Sequence, residues 1–326
     1  MEPVNLESRV VGVIPSAWGI ESAESVVAAL QAVGHGPGGF DVIVVGSRHQ
    51  EEILNIASHS GANSVYRLGG DQTDCAAPEA VAHALGQLLT GSELATRNRL
   101  LLTPPGPEGE ELAAGLAFHL NGQALGRSLS VQLTETGVRV ERLVWGGRKR
   151  VTLALDSGLA VACLRSGKPA LESKAGSASL HTIDTKIDRL PGFTVEVEET
   201  GESLPPVESC KLVISGGRGV GEEGFGILKQ IARTTEGALG GSLPAVDAGM
   251  VPVGRQVGIS GKFVNPELYF AVGISGTPQH MAGISTETRI IAVNKDPEAP
   301  IFSVAEAGVV GEWQVLLPEV LKALEA

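Results

Sequence analysis

At 326 residues the chain is longer than one compact core ordinarily runs, which implies two domains, each able to bury its own apolar interior. Apolar residues at 43% and charged residues at 19% are the balance of a folded globular protein and exclude a disordered chain, and aromatics at 4% leave little for base stacking or a membrane belt. Lys plus Arg number 25 against 37 Asp plus Glu, a field that repels phosphate backbones and anionic membranes, so neither nucleic acid nor direct membrane insertion is expected.

In chain order, the β-branched run Val10 to Ile14 is followed by the alanine-rich amphipathic stretch Glu21 to Val33, then Asp41 to Val45 by Glu51 to Ala57. The alternation continues with a strand at Ser64 to Leu68, a helix at Pro78 to Leu89 opened by proline, and a buried strand at Arg99 to Thr103. Strand, helix, strand repetition predicts a parallel sheet covered on both faces. After a helix at Glu110 to Leu120 the pattern shortens: Leu129 to Leu133, Val138 to Trp145, Val151 to Leu155 and Ala160 to Leu164 are predicted as antiparallel hairpins. Ser166 to Pro206 is rich in Ser, Thr, Glu and Pro, and its end, Glu199 to Pro206, is predicted as the interdomain linker. A second α/β unit follows, with strands at Lys211 to Ser215, Leu268 to Val272 and Arg289 to Val293 and helices at Phe225 to Thr235 and Trp313 to Ala326. The expected fold class is therefore α/β: two Rossmann-like parallel-sheet domains, 1–206 and 207–326, the first with an added antiparallel β region.

Cys75, Cys163 and Cys210 are far apart and form no CxxC pair, and the histidines show no metal spacing, so inert thiols and no metal site are expected. The acidic start lacks an apolar signal core, and no apolar run reaches membrane-span length. A cytoplasmic protein of a bacterium or archaeon is expected.

Chemistry concentrates in the C-terminal third. Gly219, Gly221 and Gly224 satisfy G-x-G-x-x-G directly after a strand, a weak signal that a tight turn explains equally well, and Glu222 and Glu223 oppose a pyrophosphate there. Arg218 stands between glycines at a strand's C-terminal end, where open α/β sheets bind ligands. After strand Leu268 to Val272, Ser275 and Gly276 make a turn, Thr277 and Pro278 open a short helix, and Gln279 and His280 fall in its first turn; a structural turn explains this segment nearly as well as a ligand cradle. Asn294 ends the next strand at the same edge. The convergence of Arg218, Ser275, Gly276, Thr277, Pro278, Gln279, His280 and Asn294 favours a nucleotide site.

The stretch Leu268 to Gly283, followed by Ile291-Ala292-Val293-Asn294-Lys295-Asp296, resembles the signature of electron transfer flavoprotein alpha subunits. The likeness is close over residues 211 to 326, including Val246-Asp247-Ala248-Gly249 and Pro297 to Phe302, and extends over the N-terminal domain in layout. It implies a heterodimer in which this chain binds FAD and a beta subunit binds AMP. It also implies an electron shuttle without substrate turnover of its own. Electrons come from flavin-containing dehydrogenases of the acyl-CoA or N-methyl-amine type and pass to an acceptor such as a membrane quinone oxidoreductase.

By position the resemblance assigns FAD contacts to Arg218, Ser242, Val257, Gly258, Ile259, Ser260, Ser275, Gly276, Thr277, Pro278, Gln279, His280, Asn294, Glu312 and Trp313. His280 would face the flavin carbonyl O2 and tune the potential, and the Ser260 hydroxyl would bond flavin N5 in place of the family's usual threonine. Leu243 stands where the family usually carries an arginine beside the isoalloxazine, which implies a lowered potential unless Arg255 compensates. Ile259 replaces a frequent glutamine, and Glu312-Trp313 a frequent Asp-Leu near the adenosine. Two rival readings stay open: an NAD-linked dehydrogenase using Gly219, Gly221, Gly224 and Asp247, for which no catalytic base is visible, and a nucleotide-binding regulatory module without redox work.

Overall fold

The computed structural model describes residues 10–33, 39–69, 77–89, 99–145, 149–164, 171–172, 174, 178–185, 187, 204–208 and 210–324. The chain divides into two compact units, Met1–Val144 with Arg150–Val195 and Trp145–Lys149 with Glu196–Ala326.

In the first unit the β-branched runs become β1 (Val10–Pro15), β2 (Phe40–Val45), β3 (Ser64–Leu68) and β4 (Arg99–Thr103), and the alanine-rich stretches become α1 (Ile20–Val33), α2 (Gln50–Ser58), α3 (Pro78–Leu89) and α4 (Pro107–His119). Side chains alternate across the sheet as strand geometry requires. Val11 and Val13 of β1 pack with Val81, Leu85, Leu112 and Leu116 of α3 and α4, while Val10 and Ile14 pack with Val26, Leu30 and Ile53 of α1 and α2. Three further strands complete a parallel sheet: β5 (Gln123–Ser128), β9 (Leu159–Leu164) and β10 (Ser179–Ile183), in the order β10-β3-β2-β1-β4-β9-β5.

The hairpin expectation for Ala160 to Leu164 is corrected by this arrangement: β9 is a parallel strand between β4 and β5, with Leu159 to Cys163 buried on both faces. A continuous apolar run belongs in such an interior position, not in a half-exposed hairpin. The antiparallel region is β6 (Ser130–Leu133), β7 (Val138–Val144) and β8 (Lys149–Leu155), a separate three-stranded sheet whose β6–β7 register is antiparallel. Most of the predicted linker, like Cys75, lies outside the described residues.

The second unit is built on β11 (Leu212–Gly216), α5 (Gly221–Thr234), β12 (Ala238–Gly241), α6 (Leu243–Asp247), β13 (Leu268–Val272), α7 (Pro278–Met281), β14 (Arg289–Asn294), β15 (Ala307–Val310) and α8 (Trp313–Leu324). Its parallel sheet runs β12-β11-β13-β14-β15. One face is covered by helices: Ile214 and Val272 pack with Phe225, Leu228 and Ile231 of α5 and Leu317 of α8. The other face is covered by irregular segments, where Val213, Tyr269 and Ala271 pack with Val257, Val264, Ile274, Ile284 and Ile301. Backbone on this second face is not consumed by helical hydrogen bonding, which leaves it available to shape a site.

Candidate functional site

After β11 the chain returns through α5 to β12 on one side, and the next strand, β13, lies on the other side of β11. Loops leaving β11 and β13 therefore diverge and open a crevice at the carboxyl ends of the strands, the switch point at which sheets of this kind bind ligands. All fifteen predicted site residues lie in this unit, and its loop geometry explains the glycines. The Gly217 N–H donates to the Val272 carbonyl at 2.8 Å, and a Cβ on Gly217 would stand 1.9 Å from the Gly273 carbonyl oxygen. Only glycine permits that approach. The chain then makes a 3-10 turn at Arg218–Val220 and enters α5 through Gly221. Arg218 is exposed and has no carboxylate partner among the described residues. The Trp313 indole N–H donates to the Gly219 carbonyl at 3.2 Å and holds this loop.

The loop after β13 is fixed from three sides. Gly276 adopts φ +80, and the Ile301 N–H donates to the Ser275 carbonyl at 3.0 Å. Asn294, at the end of β14, donates from Nδ2 to the Ile274 carbonyl at 3.0 Å and accepts the Asp296 N–H at 3.0 Å through Oδ1. Within this brace the backbone N–H groups of Ser275, Gly276 and Thr277 meet no acceptor among the described residues. Thr277 occupies the N-cap of α7, yet its side chain makes no capping bond. The anticipated helix N-terminus is only one turn long, so its dipole is small and the donors are the loop amides themselves.

A third segment closes over the second face of the sheet. The Val257 N–H donates to the Gly241 carbonyl and the Ile259 N–H to the Gln279 carbonyl, at 2.9 and 2.8 Å. Gly258 has φ +149, and a Cβ on Gly283 would lie 2.3 Å from its nitrogen. Ser260 is exposed, and its hydroxyl accepts a hydrogen bond from Gln256 Nε2 at 2.9 Å, leaving its own O–H to donate. His280 is buried beneath this segment. Its Nε2 pairs with the Tyr269 hydroxyl at 2.9 Å, while its Nδ1 has no hydrogen-bond partner among the described residues. Burial lowers the imidazole pKa to about 4, with the Val257 carbonyl opposing, so the ring is neutral at physiological pH.

Ser242 follows β12 and donates its backbone N–H to the Gly216 carbonyl at 3.1 Å, with Leu243 exposed beside it. Arg255 does not stand in for the missing cation: it is buried, and its guanidinium donates to the carbonyls of Leu204, Pro205 and Leu239 at 2.9 to 3.1 Å. Glu312 is exposed at the start of α8. The Trp313 ring packs 3.0 Å from where a Gly224 Cβ would stand, the packing use of a tryptophan. The residues missed by sequence reasoning are Gly217, Gln256 and Tyr269. Gly217 was one glycine among many; the other two reach their partners, Ser260 and His280, only through loop geometry.

Residues 206–285 match the family described as the electron transfer flavoprotein FAD-binding domain, and residues 21–187 the electron transfer flavoprotein domain. The chain is 32% identical to the electron transfer flavoprotein subunit alpha of Pseudomonas aeruginosa over 302 residues, 92% of this chain and 94% of that protein. The chain belongs to the electron transfer flavoprotein alpha-subunit family. The corresponding subunit of Mycobacterium leprae is 31% identical over 82% of this chain and 83% of its own, and the mitochondrial subunit of Dictyostelium discoideum 32% over 87% and 82%.

For an electron transfer flavoprotein the crevice has the right donors. FAD is the cofactor of the matched domain, and a flavin dinucleotide presents an anionic pyrophosphate and a ring edge rich in acceptors. The unpartnered amides of Ser275 to Thr277 and the exposed Arg218 suit the first. The Ser260 hydroxyl and the partnerless His280 Nδ1 suit the second. A Cβ on Gly219 or Gly221 would meet nothing within 4 Å, so the β11 loop is open on its outer side.

Proposed function

We propose that this chain is the FAD-binding alpha subunit of a heterodimeric electron carrier, with residues 1–206 as the subunit-contact domain and 207–326 as the FAD domain. The observation that carries the reading is the convergence at one switch point of three loop amides, an arginine and a buried imidazole nitrogen that have no partner among the described residues. Bound FAD supplies the redox chemistry. Arg218 and the amides of Ser275, Gly276 and Thr277 would hold its phosphates, with Pro278 fixing the turn and Ser242 and Asn294 bracing the crevice. Val257, Gly258, Ile259, Ser260, Gln279 and His280 would surround the ring, and Glu312 and Trp313 would flank the adenosine. Ser260 presents a hydroxyl whose acceptor side is already engaged by Gln256, so it faces the ring as a donor. A neutral His280 contributes a directed hydrogen bond rather than a full charge, and Leu243 contributes none.

The partners that fit this role are a beta subunit carrying AMP, a flavin-containing dehydrogenase of the acyl-CoA or N-methyl-amine type as donor, and a membrane quinone oxidoreductase as acceptor. The carrier turns over no substrate of its own and works in the cytoplasm. The NAD reading is weakened because Glu222 and Glu223 lie exposed in the first turn of α5, where a pyrophosphate would sit, and Gly224 is spent on packing against Trp313. The test is a reduction assay with the co-expressed heterodimer. Its flavin absorbance should fall when a dehydrogenase of either type and its substrate are added, and recover on adding the quinone oxidoreductase and a quinone. Failure of both donors to reduce a flavin-loaded protein would refute the assignment of donor class.

A further inference from the structure

We propose that Tyr269 is a positioning residue that fixes the tautomer of His280, so that the imidazole presents Nδ1–H as a donor to the flavin. The inference rests on the FAD reading and deepens it. Tyr269 lies on β13 with no exposed surface, and its hydroxyl meets His280 Nε2 at 2.9 Å. On the adjacent strand, the fully buried Ser215 pairs in register with Ala271. Its Oγ has no hydrogen-bond partner among the described residues. Tyrosine and imidazole thus form a buried pair whose shared hydrogen can run in only one of two directions.

In the first direction Tyr269 donates to Nε2, and the ring proton sits on Nδ1. The tyrosine hydrogen is then used, and Nδ1–H, which has no partner among the described residues, is left to face the ligand. In the second, Nε2–H donates to Tyr269. The tyrosine hydrogen is then left in an apolar interior, where the structure shows no acceptor for it among the described residues. Buried hydrogens without acceptors are strongly disfavoured, which selects the first direction. A bare carbonyl or N1 on a flavin is an acceptor, so the selected tautomer is the useful one. The tyrosine hydroxyl is itself held protonated by burial, which keeps it a donor.

The test uses the FAD-loaded heterodimer labelled with 15N-histidine, with His280 signals assigned by their loss in His280→Gln. Long-range 1H–15N correlation should show a protonated Nδ1 and an unprotonated Nε2. In Tyr269→Phe, which removes one oxygen from the core, that asymmetry should be lost, the flavin potential should move to more negative values, and FAD should bind about three- to tenfold more weakly. Ser215→Ala, which leaves the Tyr269–His280 contact in place, should keep the asymmetry. A wild-type spectrum with the proton on Nε2, or a Tyr269→Phe protein with unchanged asymmetry and potential, overturns the inference while leaving the FAD reading intact. A wild-type heterodimer that holds no FAD overturns both.

Discussion

Replacing Gly276 with alanine tests whether the β13 loop is built by close approach. The position has φ +80, a conformation that costs an L-residue about 1–2 kcal/mol. The added Cβ would also lie 2.4 Å from the Ile301 nitrogen and 2.5 Å from its Cα. Those are backbone atoms, so relief requires moving the turn at Pro300–Ser303 and stretching the Ile301 N–H to Ser275 carbonyl bond. Overpacking of this kind costs about 1–3 kcal/mol, so the substitution should destabilise the C-terminal unit by about 2–5 kcal/mol in all. Two other glycines calibrate the result. Gly221→Ala has φ +68 with ψ 173 and open space, hence backbone strain alone, about 1–3 kcal/mol. Gly219→Ala has open space and no such strain, hence within about 0.5 kcal/mol of wild type. The assay is urea denaturation of the three variants without FAD, followed by FAD titration of those that fold. Equal stability of Gly276→Ala and Gly219→Ala would refute the reasoning.

Other substitutions separate electrostatics from architecture. Leu243→Arg should move the flavin potential to more positive values with little change in stability, since Leu243 is 46% exposed at the start of α6; potentiometric titration reads this. Arg255→Met should destabilise the C-terminal unit by roughly 3 kcal/mol in a urea melt, because it strips donors from three carbonyls. His280 titrates at about 4 when folded against 6.5 when free, so the unfolded chain binds more protons between those values. Stability is then complete above pH 6.5 and falls as pH drops to 4, by about 3 kcal/mol, a slope that His280→Gln should flatten in FAD-free protein. Cys163 is buried and its thiol is pushed up to about 12, so alkylation of the native protein at pH 8 should spare it and unfolding should expose it.

How far the sequence disclosed the fold depended on how each strand is buried. The runs at β3, β4 and α3 were legible to the residue because apolar strand composition, leucine-rich in β4, or alanine-rich helix composition coincided with clear boundaries. The sequence of β5, Gln-Ala-Leu-Gly-Arg-Ser, and of β12, Ala-Leu-Gly-Gly, carries no strand composition; tertiary pairing makes them strands. The run β9 was seen as a strand, but its parallel partners could not be read locally, since pairing is a long-range property. At the site, the polar residues at the ends of β11, β13 and β14 were visible from spacing, and the structure places them at one switch point. What spacing hid was the role of each: Asn294 braces the loop, Arg255 is locked to backbone carbonyls, and Tyr269, which reads as a core aromatic, holds the histidine.

The central claim, that the carboxyl edge of the C-terminal sheet holds FAD, is tested most directly by the absorbance spectrum of the heterodimer purified without added cofactor. The account predicts a yellow protein with flavin bands, one FAD per alpha chain, and bleaching by dithionite. A colourless protein that takes up NADH and rejects FAD would contradict it.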